Sequence, residues 1–274
     1  MKATVLLLLK RDLISALRSR WLYGFSISFA GLGSAFSYLG ALGLGEVGFR
    51  AYSAAIAGII NLNLYAVPLA AVIASSLSLV SEREKGTMEF LLSLPTSRWE
   101  IVFSRLVSNV VSISAAIVLG YGLASWLLWL LVSETDLLIY LSILWASIVL
   151  AYSFAGIGLL ISSLVRSRFA ALALSLGVWI GLVMVYEVVL MAAVILLNLS
   201  PLDVTPLLLA NPVQASRLVI VKTFDPSMSL LGEFGAFIQR EFGETLASVL
   251  IGSQIAIGTA CTLIAMLTFS KGDL

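Results

Sequence analysis

The chain alternates long apolar runs with short polar breaks. Six of the runs, Trp21–Leu44, Ala54–Val80, Val102–Val132, Leu137–Val165, Phe169–Leu190 and Thr245–Phe269, could each cross a bilayer. Each meets the roughly 20 residues that a helix needs to traverse about 30 Å of hydrocarbon. The pattern predicts an all-α integral membrane protein, with residues 1–274 forming a single membrane domain. Several runs exceed the minimum, which implies tilt or ends that project into water. The third begins wet, with Ser104, Arg105, Ser108 and Asn109 in a cytoplasmic extension. Pro68 lies inside the second run and is expected to kink it.

Three stretches depart from this pattern. At the N-terminus, Leu6, Leu9, Leu13 and Leu17 share one helical face, and Arg11, Ser15 and Arg18 take the other. Residues 1–20 therefore read as an amphipathic helix in the membrane interface, its basic side toward anionic headgroups. A cleavable signal would place its positive charge before the apolar core, not after it. Residues 199–244 hold Pro201, Pro206, Pro212 and Pro226, and read as a broken, turn-rich outer loop that stays apolar in short pieces. The third stretch is Ser81–Glu100, SEREKGTMEFLLSLPTSRWE, which carries the densest charge cluster of the chain.

Composition sharpens the picture. The chain is 60% hydrophobic and 11% charged, so a soluble domain does not fit. It has no histidine and a single cysteine, Cys261, which leaves neither a disulfide framework nor a ready metal-ligand set. The net charge of +1 is uninformative, but its distribution is not. With the N-terminus inside, the inner segments hold Lys2, Lys10, Arg11, Arg18, Arg20, Arg83, Lys85, Arg98, Arg105, Arg166, Arg168 and Lys271. The outer ones hold only Arg50, Arg217, Lys222 and Arg240. This asymmetry predicts a multi-pass protein of the cell membrane with both termini cytoplasmic.

Glu187 is the one acid inside an apolar run. Counted from Arg168 at about 1.5 Å per residue, it lies near the outer interface. It reads either as a polar contact on a transport path or as an outer-rim carboxylate with a water or arginine partner. Val188–Leu199 then forms a re-entrant or interfacial segment. Gly177 and Gly181 give the fifth run a small-residue face suited to close helix contact.

The charged stretch has internal punctuation. Glu82, Arg83, Glu84 and Lys85 meet water at the end of the second run, and Gly86 permits a sharp turn. Thr87 can cap a short helix through Leu94, with Glu89 in its first turn and Phe90, Leu91, Leu92 and Leu94 as an apolar face. Pro95 stops it, and Ser97-Arg98-Trp99-Glu100 fits a capping box for the next helix. The result is a rigid elbow projecting into the cytoplasm.

Glu82-x-Glu84-x-Gly86-Thr87, followed by Leu91-Leu92 and Pro95-x-x-Arg98, resembles the signature of type-2 permease subunits of ATP-binding-cassette exporters. Asn211-Pro212-Val213, Arg217-Leu218 and the ending Phe269–Leu274 resemble the branch that includes the permease for nitrous-oxide-reductase maturation. The resemblance implies that the elbow carries a coupling helix fitting a groove on a separate ATP-binding subunit. Charges 82–85 would fix register there, and Phe90–Leu94 would supply burial. It also implies a second permease copy, identical or paralogous, with ATP and Mg²⁺ held by the partner ATPase and no cofactor on this chain. The lipid bilayer is the other partner, an extracytoplasmic one is left open, and nucleic acid is not expected.

The chain has no Gly-x-x-x-x-Gly-Lys-Ser/Thr, Gly-x-Ser-x-Gly or His-Glu-x-x-His, so a non-catalytic subunit is expected. Glu134 and Asp136 fall in a short outer turn. Two other readings compete: a secondary transporter, which would place ionisable groups near the midplane, and a membrane scaffold docking an extracytoplasmic maturation protein.

Overall fold

The computed structural model describes residues 9–15, 20–42, 49–88, 97–131 and 137–271. Every regular element among them is helical. In chain order they are α1 (residues 9–15), α2 (Arg20–Leu42), α3 (Phe49–Glu84), α4 (Arg98–Leu131) and α5 (Leu137–Leu164). Then follow α6 (Arg168–Ile180), a π-helical turn (Gly181–Val185), α7 (Tyr186–Leu197), α8 (Pro201–Ala210), α9 (Pro212–Phe224), α10 (Gly232–Phe242) and α11 (Leu246–Lys271). Five stretches are long and apolar enough to cross a membrane: Ile60–Glu84, Arg98–Leu123, Leu141–Leu164, Arg168–Leu197 and Gly232–Ser270. The α8–α9 pair, bent by 111°, adds a sixth if it counts as one span. Helix α2 lies over the first of the predicted runs.

Helix α5 is the centre of the bundle. It packs most extensively against α3 on one side and α11 on the other. Side chains of ordinary size would hold these backbones apart, and α5 has glycine at both crossings. A Cβ at Gly156 would sit 2.3 Å from the carbonyl oxygen of Gly258 on α11. One at Gly158 would sit 2.6 Å from the carbonyl oxygen of Val72 on α3. The approach is close enough for side chains to bond the neighbouring backbone. The Ser162 hydroxyl oxygen accepts from the backbone N–H of Leu79 at 3.1 Å, and the Ser153 hydroxyl donates to the Gln254 carbonyl at 2.9 Å. Small residues and interhelical hydrogen bonds drive helix association in lipid, where no hydrophobic gain separates one helix from another.

Helix α3 runs unbroken through Pro68, which has no N–H to give the Leu64 carbonyl. Beside that gap, the Trp179 indole N–H donates to the carbonyl of Tyr65 at 3.0 Å. The pair α2–α4 closes over aromatic rings, with Phe29 edge-on to Tyr121 at 5.1 Å between centroids.

The fifth apolar segment extends further than predicted. Helix continues through the π-helical turn to Leu197, so 188–197 is neither re-entrant nor separate from the helix carrying Glu187. Residues 201–242 are likewise not turn-rich coil. Two of the prolines begin helices: Pro201 follows the N-cap Ser200, and Pro212 follows the N-cap Asn211. Proline is well suited to the first helical position, where its missing N–H has no intrahelical partner to lose. The capping box of Ser200 and Asp203 closes in both directions, at 3.4 and 3.1 Å. Residues 211–216, 218–220 and Met228 are all buried, so this segment is a folded cap on the bundle.

The glycine contacts make a direct prediction. Gly158→Ala forces a methyl group into a backbone oxygen and is expected to cost roughly 1–3 kcal/mol, lowering the melting temperature of the purified protein. Gly177→Ala, where a Cβ meets nothing within 4 Å, is expected to melt at or slightly above the parent. Equal melting of the two variants by intrinsic fluorescence would show that the α3–α5 contact is looser than described.

Candidate functional site

The C-terminal ends of α3, α5 and α11 and the N-terminal ends of α4 and α6 meet at one end of the bundle. The charged segment lies among them. Helix ends carry unpaired backbone groups, carbonyls at the C-terminus and N–H groups at the N-terminus, with partial charges to match. The side chains are distributed accordingly. Arg83 donates from Nη1 to the carbonyls of Ser162, Ser163 and Val165, at 3.4, 3.5 and 3.1 Å, at the end of α5. Its guanidinium also lies 5.4 Å from the ring centroid of Phe269. Arg98 donates to the carbonyls of Phe269 and Ser270, both at 3.1 Å, at the end of α11. Glu84 does the converse at the start of α6. One carboxylate oxygen accepts the backbone N–H of Arg168 at 2.7 Å, and the other lies 2.8 Å from its Nε.

Glu82 faces inward. It accepts from Arg105 Nη2 at 2.8 Å and from the Thr87 hydroxyl. Arg105 in turn approaches Asp12 of α1 at 3.4 Å. Asp12 is only 2% exposed and accepts from Ser104 at 2.7 Å and from Arg11 at 2.8 Å. The N-terminal segment is thus keyed to the elbow through an Asp12–Arg105–Glu82 chain. An unpaired carboxylate this deeply buried would be costly, so two arginines beside Asp12 are what its burial requires.

Gly86 makes the turn itself, with φ at +68° and its N–H on the carbonyl of Arg83 at 3.1 Å. Thr87 and Met88 re-enter helical geometry, and Met88 is buried beneath the elbow. The predicted contact residues Glu89, Phe90, Leu91, Leu92 and Pro95 lie outside the described residues. Beyond them the capping box is complete: the Ser97 N–H meets the Glu100 carboxylate at 2.8 Å, and the Glu100 N–H meets the Ser97 hydroxyl at 3.2 Å. Of the four charges at 82–85, three are engaged within the chain. Lys85 alone has no carboxylate partner among the described residues.

Glu187 is far from this end. Arg217 of α9 grips both of its carboxylate oxygens, with Nη2 at 2.9 Å from Oε2. The arginine partner expected for an outer-rim carboxylate is therefore present. Two further bonds tie the same region to the cap: Asn211 donates to the carbonyl of Leu182 at 2.7 Å, and the Tyr186 hydroxyl donates to that of Leu207 at 2.6 Å. Asn211 and Arg217 belong to short motifs of the sequence that carry no sign of their partners. Asp12, Arg105 and Arg168 join the site through residues 23 to 93 positions away, which no local motif signals.

The fold is that of a multi-span helical membrane protein whose inter-span elbow is locked into the ends of its own helices. The family model of the ABC-2 family transporter proteins matches residues 6–274, and the chain belongs to that family of transporter permeases. The "Probable ABC transporter permease protein NosY" of Stutzerimonas stutzeri is 32% identical over 232 residues, covering 81% of this chain and 83% of that protein. The protein of the same name from Pseudomonas aeruginosa is 29% identical over 222 residues, 79% of this chain and 81% of that one. Membership makes this a membrane-embedded transporter permease and implies association with an ATP-binding subunit.

Removing Arg105 leaves Asp12 buried beside Arg11 alone and frees Glu82. Arg105→Ala is expected to destabilise the protein by about 3 kcal/mol, the typical cost of stranding a buried charge. The double variant Asp12→Leu, Arg105→Met is expected to recover much of that loss in a thermal melt, because no fully buried charge is left unpaired and Glu82 and Arg11 both reach water. Additive losses in the double variant would contradict the pairing.

Proposed function

We propose that the chain is the membrane-spanning subunit of an ATP-driven exporter, and that its elbow at 81–100 couples hydrolysis on a separate ATP-binding subunit to movement of the spans. In this reading the elbow faces the cytoplasm, with both termini, and six spans pair with those of a second permease copy. The catalytic chemistry, with ATP and Mg²⁺, belongs to the partner ATPase. The observation that supports it best is the rigid anchoring of a protruding turn. Arg83, Glu84 and Arg98 join the two sides of one short segment to α5, α6 and α11. A push on such a turn reaches three further helices besides the two it connects. The inner charges then serve to hold the lever, and Lys85, exposed Trp99 and the segment 89–96 are left to meet the ATPase.

A second reading is a scaffold that docks an extracytoplasmic protein. It is favoured by the cap at 201–242, whose helices are folded and fastened to α5, α7 and α11 rather than loose. The two readings are compatible if force delivered at the elbow is used at the cap. A secondary transporter gains little from Glu187, since its carboxylate is already paired with Arg217.

Gly86→Pro and Glu84→Ala separate these ideas. Proline cannot adopt the positive φ at position 86, so the elbow should lose its shape, and with it binding of the ATPase in co-purification. Glu84 is engaged inside the chain. Its alanine variant is expected to keep ATPase binding yet drop permease-stimulated hydrolysis toward the level of the free ATPase. Wild-type binding and stimulation in both variants would refute the coupling role.

A further inference from the structure

A cavity of about 350 Å³ opens between α1, α3 and α4, beside the elbow. Its walls are two facing polar stripes at helical spacing. Ser78, Ser81 and Lys85 come from the α3 side, and Ser108, Asn109 and Ser112 come from α4. Deeper in, Ile73, Leu77 and Ile113 replace the polar groups. The lining is therefore graded from charged at the helix ends to aliphatic toward the span interiors.

The hydrogen-bonding state of the walls decides what fits. Ser78, Ser108 and Ser112 each spend their hydroxyl hydrogen on a carbonyl of their own helix, at 2.7, 3.2 and 2.6 Å. What they offer inward is oxygen lone pairs, which call for a donor. The two carboxylates of the lining, Asp12 and Glu82, are both matched by Arg105, and Asp12 also by Arg11. Those four groups sum to zero charge. Lys85 remains as the net cation in the lining. It has no carboxylate partner among the described residues. A suitable occupant carries an anionic group for Lys85, hydroxyl donors for the serine oxygens, and an aliphatic portion for the inner wall.

We propose that this cavity is a binding site for the headgroup of an anionic phospholipid with a hydroxyl-bearing phosphate ester, of the phosphatidylglycerol type. Its phosphate meets Lys85, its glycerol hydroxyls meet the serine oxygens, and its acyl chains run along the aliphatic wall. Basic pockets between spans near the membrane surface are suited to such headgroups, and each lysine near an anionic surface contributes about fivefold in affinity. The site lies against both α1 and the elbow, so a bound lipid would brace the Asp12–Arg105–Glu82 chain from its open side. The proposal shares Lys85 with the coupling reading, but its test uses the permease without an ATPase, so the two stand or fall separately.

The test uses the full-length protein in nanodiscs, with Ser81→Cys in a Cys261→Ser background and a maleimide as the probe of cavity access. Labelling is expected to be several-fold slower in phosphatidylglycerol nanodiscs than in phosphatidylcholine ones. Native mass spectrometry of the parent protein should show a phosphatidylglycerol retained in preference to phosphatidylcholine. Lys85→Glu is expected to weaken that retention by at least about fivefold. Ser108→Leu, which fills the wall without changing charge, should abolish it. Should one of these variants fail to fold, the labelling comparison in the cysteine background still decides. Equal labelling in the two lipids, with no preferential retention, would overturn the site. Protection by soluble glycerol 3-phosphate alone, in phosphatidylcholine, would overturn the lipid as its source.

Discussion

The architecture depends on how closely α5 approaches α3 and α11. In a membrane, apolar surface gains nothing by leaving lipid for another helix, so association rests on packing and on hydrogen bonds. Gly156 and Gly158 remove the side chains that would prevent contact, about 200° apart around the axis, and so allow a helix on either side to touch α5 through its backbone. Serine hydroxyls then bridge backbones directly, as Ser162 does to Leu79 and Ser153 to Gln254. The close crossings also bring the C-terminal ends of α3, α5 and α11 to one place. Everything at the elbow follows from that convergence.

Gathered C-terminal ends present a concentration of unpaired carbonyls with partial negative charge. Arg83 and Arg98 answer it at α5 and α11, and Glu84 and Glu100 serve the N-terminal ends of α6 and α4. The signs follow the helix dipoles throughout. The charge cluster is thus explained in the first place by the fold of its own chain. A segment that satisfies four helix ends cannot move independently of them, which is the property that a coupling element requires.

Local features of this site were legible in the sequence, and remote ones were not. Gly86 as a left-handed turn and Ser97 with Glu100 as a capping box depend on residues within four positions of each other. The partners of Arg83 and Arg98 lie some 80 and 170 positions away, and no spacing rule reaches them. Asp12 falls between the leucine and basic faces of the N-terminal helix, and its partners Ser104 and Arg105 lie more than ninety positions away. In residues 201–242 the signal is local. Proline acts as a breaker inside a helix, but Ser200-Pro201 with Asp203, and Asn211-Pro212, are patterns that start helices. Glu187 similarly suggested an early end to the fifth span. Its arginine, thirty positions on, allows the helix to continue through it.

That continuity connects the two ends of the molecule. The stretch from Arg168 to Leu197 is helical throughout, with a π-helical turn in place of a break. At its first residue it is held by Glu84 of the elbow, and at Glu187 by Arg217 of the cap. The two ion pairs stand about 28 Å apart along one helix. Between them the π-helical turn supplies the carbonyl of Leu182, to which Asn211 donates while it caps α9. A π-turn widens the helix and redirects backbone groups, and here that redirection is used to fasten the cap. Helix α9 then returns the connection to α5 and α11, the helices whose other ends receive Arg83 and Arg98. The elbow and the cap are therefore joined by two routes, one along α6–α7 and one through the central helices. Both consist of helices with polar ties at their ends rather than loops. A displacement applied at the elbow would have to break those ties or carry the cap with it.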